Sequence, residues 1–98
     1  MDALRFEWDS DKAAENLRKH GIAFAEAETA FFDDHAKVIP DRDHSALEER
    51  FVLLGMSASL RVLVVVHCLG ENGDEIRLIS ARKATPRERL QYSTPEKS

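Results

Sequence analysis

Cysteine is nearly absent from this 98-residue chain, which contains a single one, Cys68. A lone cysteine cannot form an intramolecular disulfide, and it leaves any zinc site dependent on other ligands. Its neighbours Val66 and Leu69 indicate a buried thiol that packs as a small apolar side chain. The longest uninterrupted apolar run is Val62 to Val66, whereas a membrane-spanning helix needs roughly 20 such residues. Disulfide scaffolds and membrane spans are therefore excluded.

Excess positive charge is also missing, since the formal net charge is −4. This balance disfavours nucleic-acid binding by the surface as a whole, because phosphates need local positive charge. The distribution is uneven, however, and residues 77–90 carry five basic side chains against one acidic side chain. The basic ones are Arg77, Arg82, Lys83, Arg87 and Arg89. One segment is therefore suited to an anionic ligand.

The composition, 43% hydrophobic and 33% charged, is that of a folded domain. At this length we expect a single domain over residues 1–98, with a frayed tail at 93–98. The N-terminus has no basic segment followed by an apolar one, so we expect no secretory signal and a cytoplasmic protein.

Spacing and turn residues predict an α+β fold. Asp9 or Ser10 can cap a helix that runs to His20 and stops at Gly21, and a second helix follows over residues 24–32. Short strands are predicted at 4–8 and 36–39, and three longer ones at 50–56, 61–69 and 75–81. Their short connections favour an antiparallel meander. Thr85-Pro86-Arg87-Glu88 is a capping box that begins a final helix.

Alternation along the central strand predicts two unlike faces. Val62, Val64, Val66 and Cys68 form one wholly apolar set, which we expect to pack against the helices. The opposite set ends in His67. If both hairpins are tight, Arg50 and Arg77 fall on either side of His67 and form a basic row that suits an anion. The alternative is that these arginines form ordinary surface ion pairs.

Two further motifs carry ionisable groups. Arg82 and Lys83 stand where a strand meets a helix N-terminus, a position that favours phosphate. Asp43-His44 and Glu48-Glu49 lie in a polar loop before Arg50, and a histidine is a natural acid or base near neutral pH. A metal site from Asp41, Asp43 and His44 has no recognised ligand spacing, so neither metal nor cofactor is expected.

Taken together, these pieces resemble the BrnT family from Phe6 to about Tyr92. The matching residues are Phe6-Glu7-Trp8-Asp9, Lys12, Asn16, Lys19-His20-Gly21, Phe24, Ala27, Asp43-His44, Glu49-Arg50-Phe51, Gly55 and Arg77 through Ala84. The resemblance implies a RelE-like fold and an RNA-cleaving toxin of a type II toxin–antitoxin pair. It also implies a BrnA-like, ribbon–helix–helix antitoxin that neutralises the toxin and alone contacts DNA.

On that resemblance we expect a metal-independent endoribonuclease that uses the ribose 2′-OH as nucleophile. Arg50, Arg77 and Arg82 are predicted to cradle the phosphate, since fixed cations are usually the largest catalytic term. His44 or His67 is predicted to carry the proton, with Glu49 as base or as the group that orients the histidine. The predicted RNA-binding side chains are Arg61, Lys83 and Arg87.

A second hypothesis is a non-catalytic module whose basic sheet face captures an acidic protein. If a bacterial host tolerates overexpression of the chain, the binding-module hypothesis is favoured. If an adjacent reading frame encodes a small basic or ribbon–helix–helix protein, the toxin hypothesis is favoured. Direct DNA binding by this chain is disfavoured by its charge and by the lack of a recognition helix.

Overall fold

The computed structural model describes residues 4–41, 49–70 and 73–95, and within them it contains three helices and one five-stranded sheet. The elements are β1 (Arg5–Glu7), α1 (Ser10–His20), α2 (Phe24–Ala30), β2 (Lys37–Pro40), β3 (Arg50–Met56), β4 (Val62–Leu69), β5 (Glu75–Lys83) and α3 (Pro86–Ser93). None of the helices in these ranges is long and apolar enough to cross a membrane.

The sheet has the strand order β1-β5-β4-β3-β2. Strands β3 to β5 form the predicted antiparallel meander; β2 extends it by pairing antiparallel with β3, and β1 joins the far edge parallel to β5. The predicted helix signals also hold: Asp9 caps α1 by accepting from Lys12 N, and Gly21 ends it at φ 72°. The α+β prediction is confirmed.

Helices α1 and α2 cover one face of the sheet, which we call the helix face. The core beneath them contains Ile22, Phe24, Ala27, Ala30, Leu53, Leu63, Val65, Ile76, Leu78 and Ala81. The prediction that Val62, Val64, Val66 and Cys68 face the helices is therefore wrong. Both sets of side chains on β4 are apolar in the middle, so alternation alone does not identify the inner one.

Both hairpin registers differ by one residue from those predicted. In the first, Ser57 N donates to Arg61 O (2.8 Å) and leaves a three-residue loop, in which Leu60 has a φ of 64°. Such loops place a left-handed residue before the second strand. As a result Arg50 pairs with Cys68, and in the second hairpin Arg77 also pairs with Cys68. The predicted row around His67 is corrected to a row around Cys68.

A bulge in β5 shifts its faces between Ser80 and Leu78, because Ser80 pairs with Val66 and Leu78 with the next residue, His67. Ile79 is the extra residue. The bulge allows both Ala81 and Leu78 to enter the core, and it leaves Ser80 and Arg77 on the opposite face. The pairing of Arg77 with Cys68 itself follows from the second hairpin, in which Gly70 N donates to Glu75 O (2.8 Å).

The face opposite α1 and α2 is the open face. It consists of Arg50, Val52, Leu54, Val64, Val66, Cys68, Arg77, Ser80 and Arg82. Helix α3 begins at the predicted capping box of Thr85 and Glu88 and crosses one end of this face. No residue of this fully described helix is buried. It is held by polar contacts, among them Tyr92 Oη donating to Asp33 Oδ2.

Candidate functional site

Two arginines flank one strand at the end of the open face that α3 does not cross. Arg50 and Arg77 both pair with Cys68, and we call these three residues the arginine row. Neighbouring strands lie about 4.8 Å apart, which places the two arginine Cα atoms about 10 Å apart. Long side chains at that separation can meet over one bound phosphate. The row is thus a candidate anion site.

Carboxylates stand at both ends of this row. Glu7 of β1 pairs with Arg77, and Asp41 N donates to Arg50 O at 2.8 Å. A cationic centre with flanking acids is the arrangement that acid–base chemistry on a phosphodiester needs.

Arg50 has an unusual hydrogen-bonding state. Within the described part of the chain its Nε is buried and has no acceptor within reach. A buried N–H left without a partner costs about 1–3 kcal/mol. An anion that accepts from this guanidinium recovers part of that cost, which makes Arg50 a suitable anchor for an anion.

His67 does not belong to this site, and its predicted place between the arginines is wrong. Its side chain lies on the helix face at 3% exposure, edge-on to Phe31 with ring centroids 4.8 Å apart. Nδ1 lies 3.3 Å from Val65 O. Burial disfavours the imidazolium and lowers the pKa of His67 below its ordinary 6.5, although the Val65 carbonyl opposes the shift. A proton carrier for bound RNA cannot act from this core position.

Acid should therefore destabilise the protein through His67. Because the folded pKa lies below the unfolded value of about 6.5, the unfolded chain binds the extra proton, and stability falls as the pH drops below 6.5. We expect the stability gap between wild type and His67→Phe to change by up to about 1.4 kcal/mol per pH unit. Urea unfolding of both proteins from pH 7.5 to 5 measures it.

Between pH 7.5 and 5, the loss of stability caused by His67 can be distinguished from the loss caused by carboxyl groups. The carboxyls of Glu26, Asp33 and Glu88 all have pKa values lowered from ordinary values of 4.5 or less. The stability that these carboxylates contribute is therefore lost only at lower pH. A gap between the two proteins that does not vary with pH would contradict the assignment.

Arg82 shares the open face but not the arginine row. It pairs with Val64, four residues before Cys68, or about 13 Å along β4. Its guanidinium makes a two-point contact with Glu88, with Nη1–Oε1 at 2.8 Å and Nη2–Oε2 at 2.9 Å. These hydrogen bonds lower the pKa of Glu88 to about 2. The predicted cradle of three arginines is therefore corrected to a pair, and Arg82 instead fastens α3 to the sheet.

The predicted RNA-binding residues lie away from the row. Arg61 is held by Glu26, with Nε–Oε2 at 2.9 Å and a second contact through Nη2, and that pairing lowers the pKa of Glu26. Lys83 pairs with Leu63, about 17 Å along β4 from Cys68. Arg87 is exposed on α3.

Of the remaining predicted residues, Glu49 is exposed immediately before Arg50, whereas His44 lies outside the described residues. In the ranges that the structure describes, no three His, Cys, Asp or Glu side chains are grouped as a metal site requires.

Sequence reasoning missed Glu7 and Cys68 as members of the site. Glu7 reaches Arg77 only because β1 pairs parallel with the last strand, a contact 70 residues apart in sequence. The predicted burial of the Cys68 thiol is confirmed, at 5% exposure, but the side chain lies on the open face and not on the predicted helix face. Both placements depend on pairing between strands, which leaves no local signal in the sequence.

Comparison with known proteins bears on what this site does. Residues 8–88 match the family model described as ribonuclease toxin, BrnT, of type II toxin-antitoxin system. The chain belongs to the BrnT family. It is similar to the crystal structure of the Brucella abortus ribonuclease toxin BrnT, with a TM-score of 0.65 and 26% identity over 85% of this chain and 99% of that one. No curated protein matches it by sequence.

Membership in the BrnT family confirms the resemblance read from the sequence. It makes the chain an endoribonuclease and the toxin of a type II toxin–antitoxin system, with RNA as substrate and an antitoxin as partner.

Proposed function

We propose that the chain cleaves RNA at the arginine row, without a metal ion, and that an antitoxin holds it inactive. The observation that carries this proposal is the pairing of Arg50 and Arg77 around Cys68 on the open face of a BrnT-family chain. Two cations two strands apart suit the phosphate between two nucleotides.

In the proposed reaction the ribose 2′-oxygen attacks the adjacent phosphorus, and the bond from phosphorus to the 5′-oxygen breaks. The products are a 2′,3′-cyclic phosphate and a 5′-hydroxyl. Arg50 and Arg77 donate hydrogen bonds to the non-bridging oxygens and stabilise the charge of the pentacovalent state. Glu7, beside Arg77, is placed to accept the 2′-hydroxyl proton. His44 and Glu49 stay predictions for the remaining proton transfer.

The proposed partner is a BrnA-like antitoxin of the ribbon–helix–helix type. In this proposal it binds the toxin and also represses their shared operon, so the toxin reaches DNA only through it. A net charge of −4 disfavours direct DNA binding, because the phosphate backbone is neutralised by positive side chains.

Metal independence and product chemistry can be tested together. We expect the purified chain to cut a labelled RNA at an undiminished rate in excess EDTA and to leave 2′,3′-cyclic phosphate ends. The double variant Arg50→Gln/Arg77→Gln, purified in parallel, controls for contaminating nucleases. Loss of cutting in EDTA, or products with a 5′-phosphate, would contradict the mechanism.

A further inference from the structure

An apolar groove of about 490 Å³ lies between α3 and the open face, next to the arginine row. We call it the α3 groove. Its lining is Lys37, Ile39, Val52, Leu54, Val64, Glu88, Gln91, Thr94 and Pro95. Arg50 lies two residues before Val52 on the same face, about 7 Å along the strand. A ligand in the groove can therefore also reach Arg50.

The chemistry of the groove favours a protein side chain over a nucleobase. Sites for unpaired bases use aromatic rings for stacking and free donors or acceptors for the base edges. The described lining of the groove contains no aromatic ring. Its charged groups are already engaged: Lys37 Nζ donates to Gln91 O (2.6 Å) and Thr94 O (2.7 Å), and Glu88 accepts from Arg82.

The nearby edge strand offers little to a partner by itself. Asp41 N donates to Arg50 O, and hydrogen-bonded pairs alternate along an antiparallel ladder. In β2 the backbone N–H and C=O groups of Lys37 and Ile39 therefore point toward β3, and the backbone groups of Val38 and Pro40 point outward. Proline has no N–H, which removes a donor from this free edge. Strand addition is therefore weak here, and the exposed Ile39 side chain, at 61%, is better explained by contacts on the groove side.

We infer that the antitoxin inserts an apolar side chain into the α3 groove and places a carboxylate on Arg50. The aliphatic floor supplies the apolar contact, and the buried Nε of Arg50, which has no acceptor among the described residues, supplies the charge complement. Inhibition follows, because that carboxylate occupies the position of the scissile phosphate. This inference rests on the proposed function, which supplies the antitoxin and the role of Arg50.

The test uses two matched substitutions on one strand. Ile39→Glu places a charge at the groove, whereas Val38→Glu places the same charge on the helix face at a position 53% exposed. Each full-length variant is titrated calorimetrically with the protein encoded beside this chain's gene. We expect Ile39→Glu to weaken binding roughly 30-fold, as loss of an interface hot spot does. Val38→Glu should bind as wild type does, and Arg50→Gln should also weaken binding.

RNA cleavage by each variant alone separates the two proposals. Ile39→Glu should cut RNA at the wild-type rate. Wild-type affinity of Ile39→Glu for the antitoxin would overturn the inference. If Ile39→Glu also lost RNA cleavage while it kept that affinity, the groove would be a binding site for RNA instead. Wild-type affinity in Arg50→Gln would overturn the carboxylate contact. If Ile39→Glu alone loses affinity but wild type cuts no RNA, the docking surface stands and the proposed catalysis fails.

Discussion

Replacing Arg50 or Arg77 by glutamine is expected to lower the rate of RNA cleavage about 100- to 1,000-fold, the usual cost of losing one preorganised donor to a developing oxyanion. Glutamine keeps much of the side-chain length and removes the charge. Because both arginines act on charge that grows during the reaction, kcat should fall more than KM rises. Single-turnover cleavage of a short labelled RNA measures the effect, and expression without antitoxin should cease to arrest growth.

Two other arginines serve as controls. Arg18→Gln removes the same charge from the exposed side of α1, where the side chain is 72% exposed, and should leave cleavage unchanged. Arg82→Gln should lower cleavage less than tenfold, since that guanidinium is occupied by Glu88 and a screened phosphate contact is worth little. Full activity in both Arg50→Gln and Arg77→Gln would remove the physical basis of the site. Equal losses in Arg82→Gln would restore the three-arginine cradle.

Local signals predicted the elements of this fold well. The helix signals are the capping box of Thr85 and Glu88, the cap at Asp9 and the stop at Gly21. In each of them the two interacting residues are at most four positions apart, so a short stretch of sequence shows both. The strand β3 begins and ends at the predicted residues, 50 and 56. The start and end of these elements are determined by residues that are close together in the sequence.

The site was harder to predict because one-residue choices decide which side chains meet. The left-handed conformation of Leu60 lengthens the first hairpin loop, and the second hairpin closes with Gly70 N donating to Glu75 O, one residue away from the predicted register. Each change alone would have separated Arg50 from Arg77 in register. Both hairpins moved in the same direction, so the two arginines stay opposite each other while His67 moves into the core.

Among the described residues, the outer edge of β5 has no strand partner beyond Arg77, since β1 pairs only with residues 75–77. Asn16 of α1 fills this position. Its Oδ1 accepts from Ala81 N (3.0 Å), and its Nδ2 donates to Ala81 O (2.9 Å) and Ile22 O (2.8 Å). The amide therefore acts as a substitute strand residue. It fixes β5 two residues beyond the bulge at Ile79.

Asn16→Ala is accordingly expected to lower the free energy of unfolding by about 4 kcal/mol. The substitution leaves a buried N–H and two buried carbonyls without partners, and each such group costs about 1–3 kcal/mol unless water enters. For a domain of this size that loss corresponds to a fall in Tm of about 20 °C. Thermal and urea unfolding at pH 7 measure both quantities, and Arg18→Ala on the exposed side of α1 should change stability by less than about 0.5 kcal/mol.

A second variant separates hydrogen bonding from loss of volume. Asn16→Asp keeps the acceptor for Ala81 N but turns a carboxylate toward two carbonyl oxygens, so the ionised form is disfavoured in the folded state. Its folded pKa should lie above the unfolded value of about 3.9, and its stability relative to wild type should therefore rise as the pH falls toward 4. The neutral acid can donate to one carbonyl again. A deficit in Asn16→Asp that is constant with pH would show that Asn16 acts through its size alone.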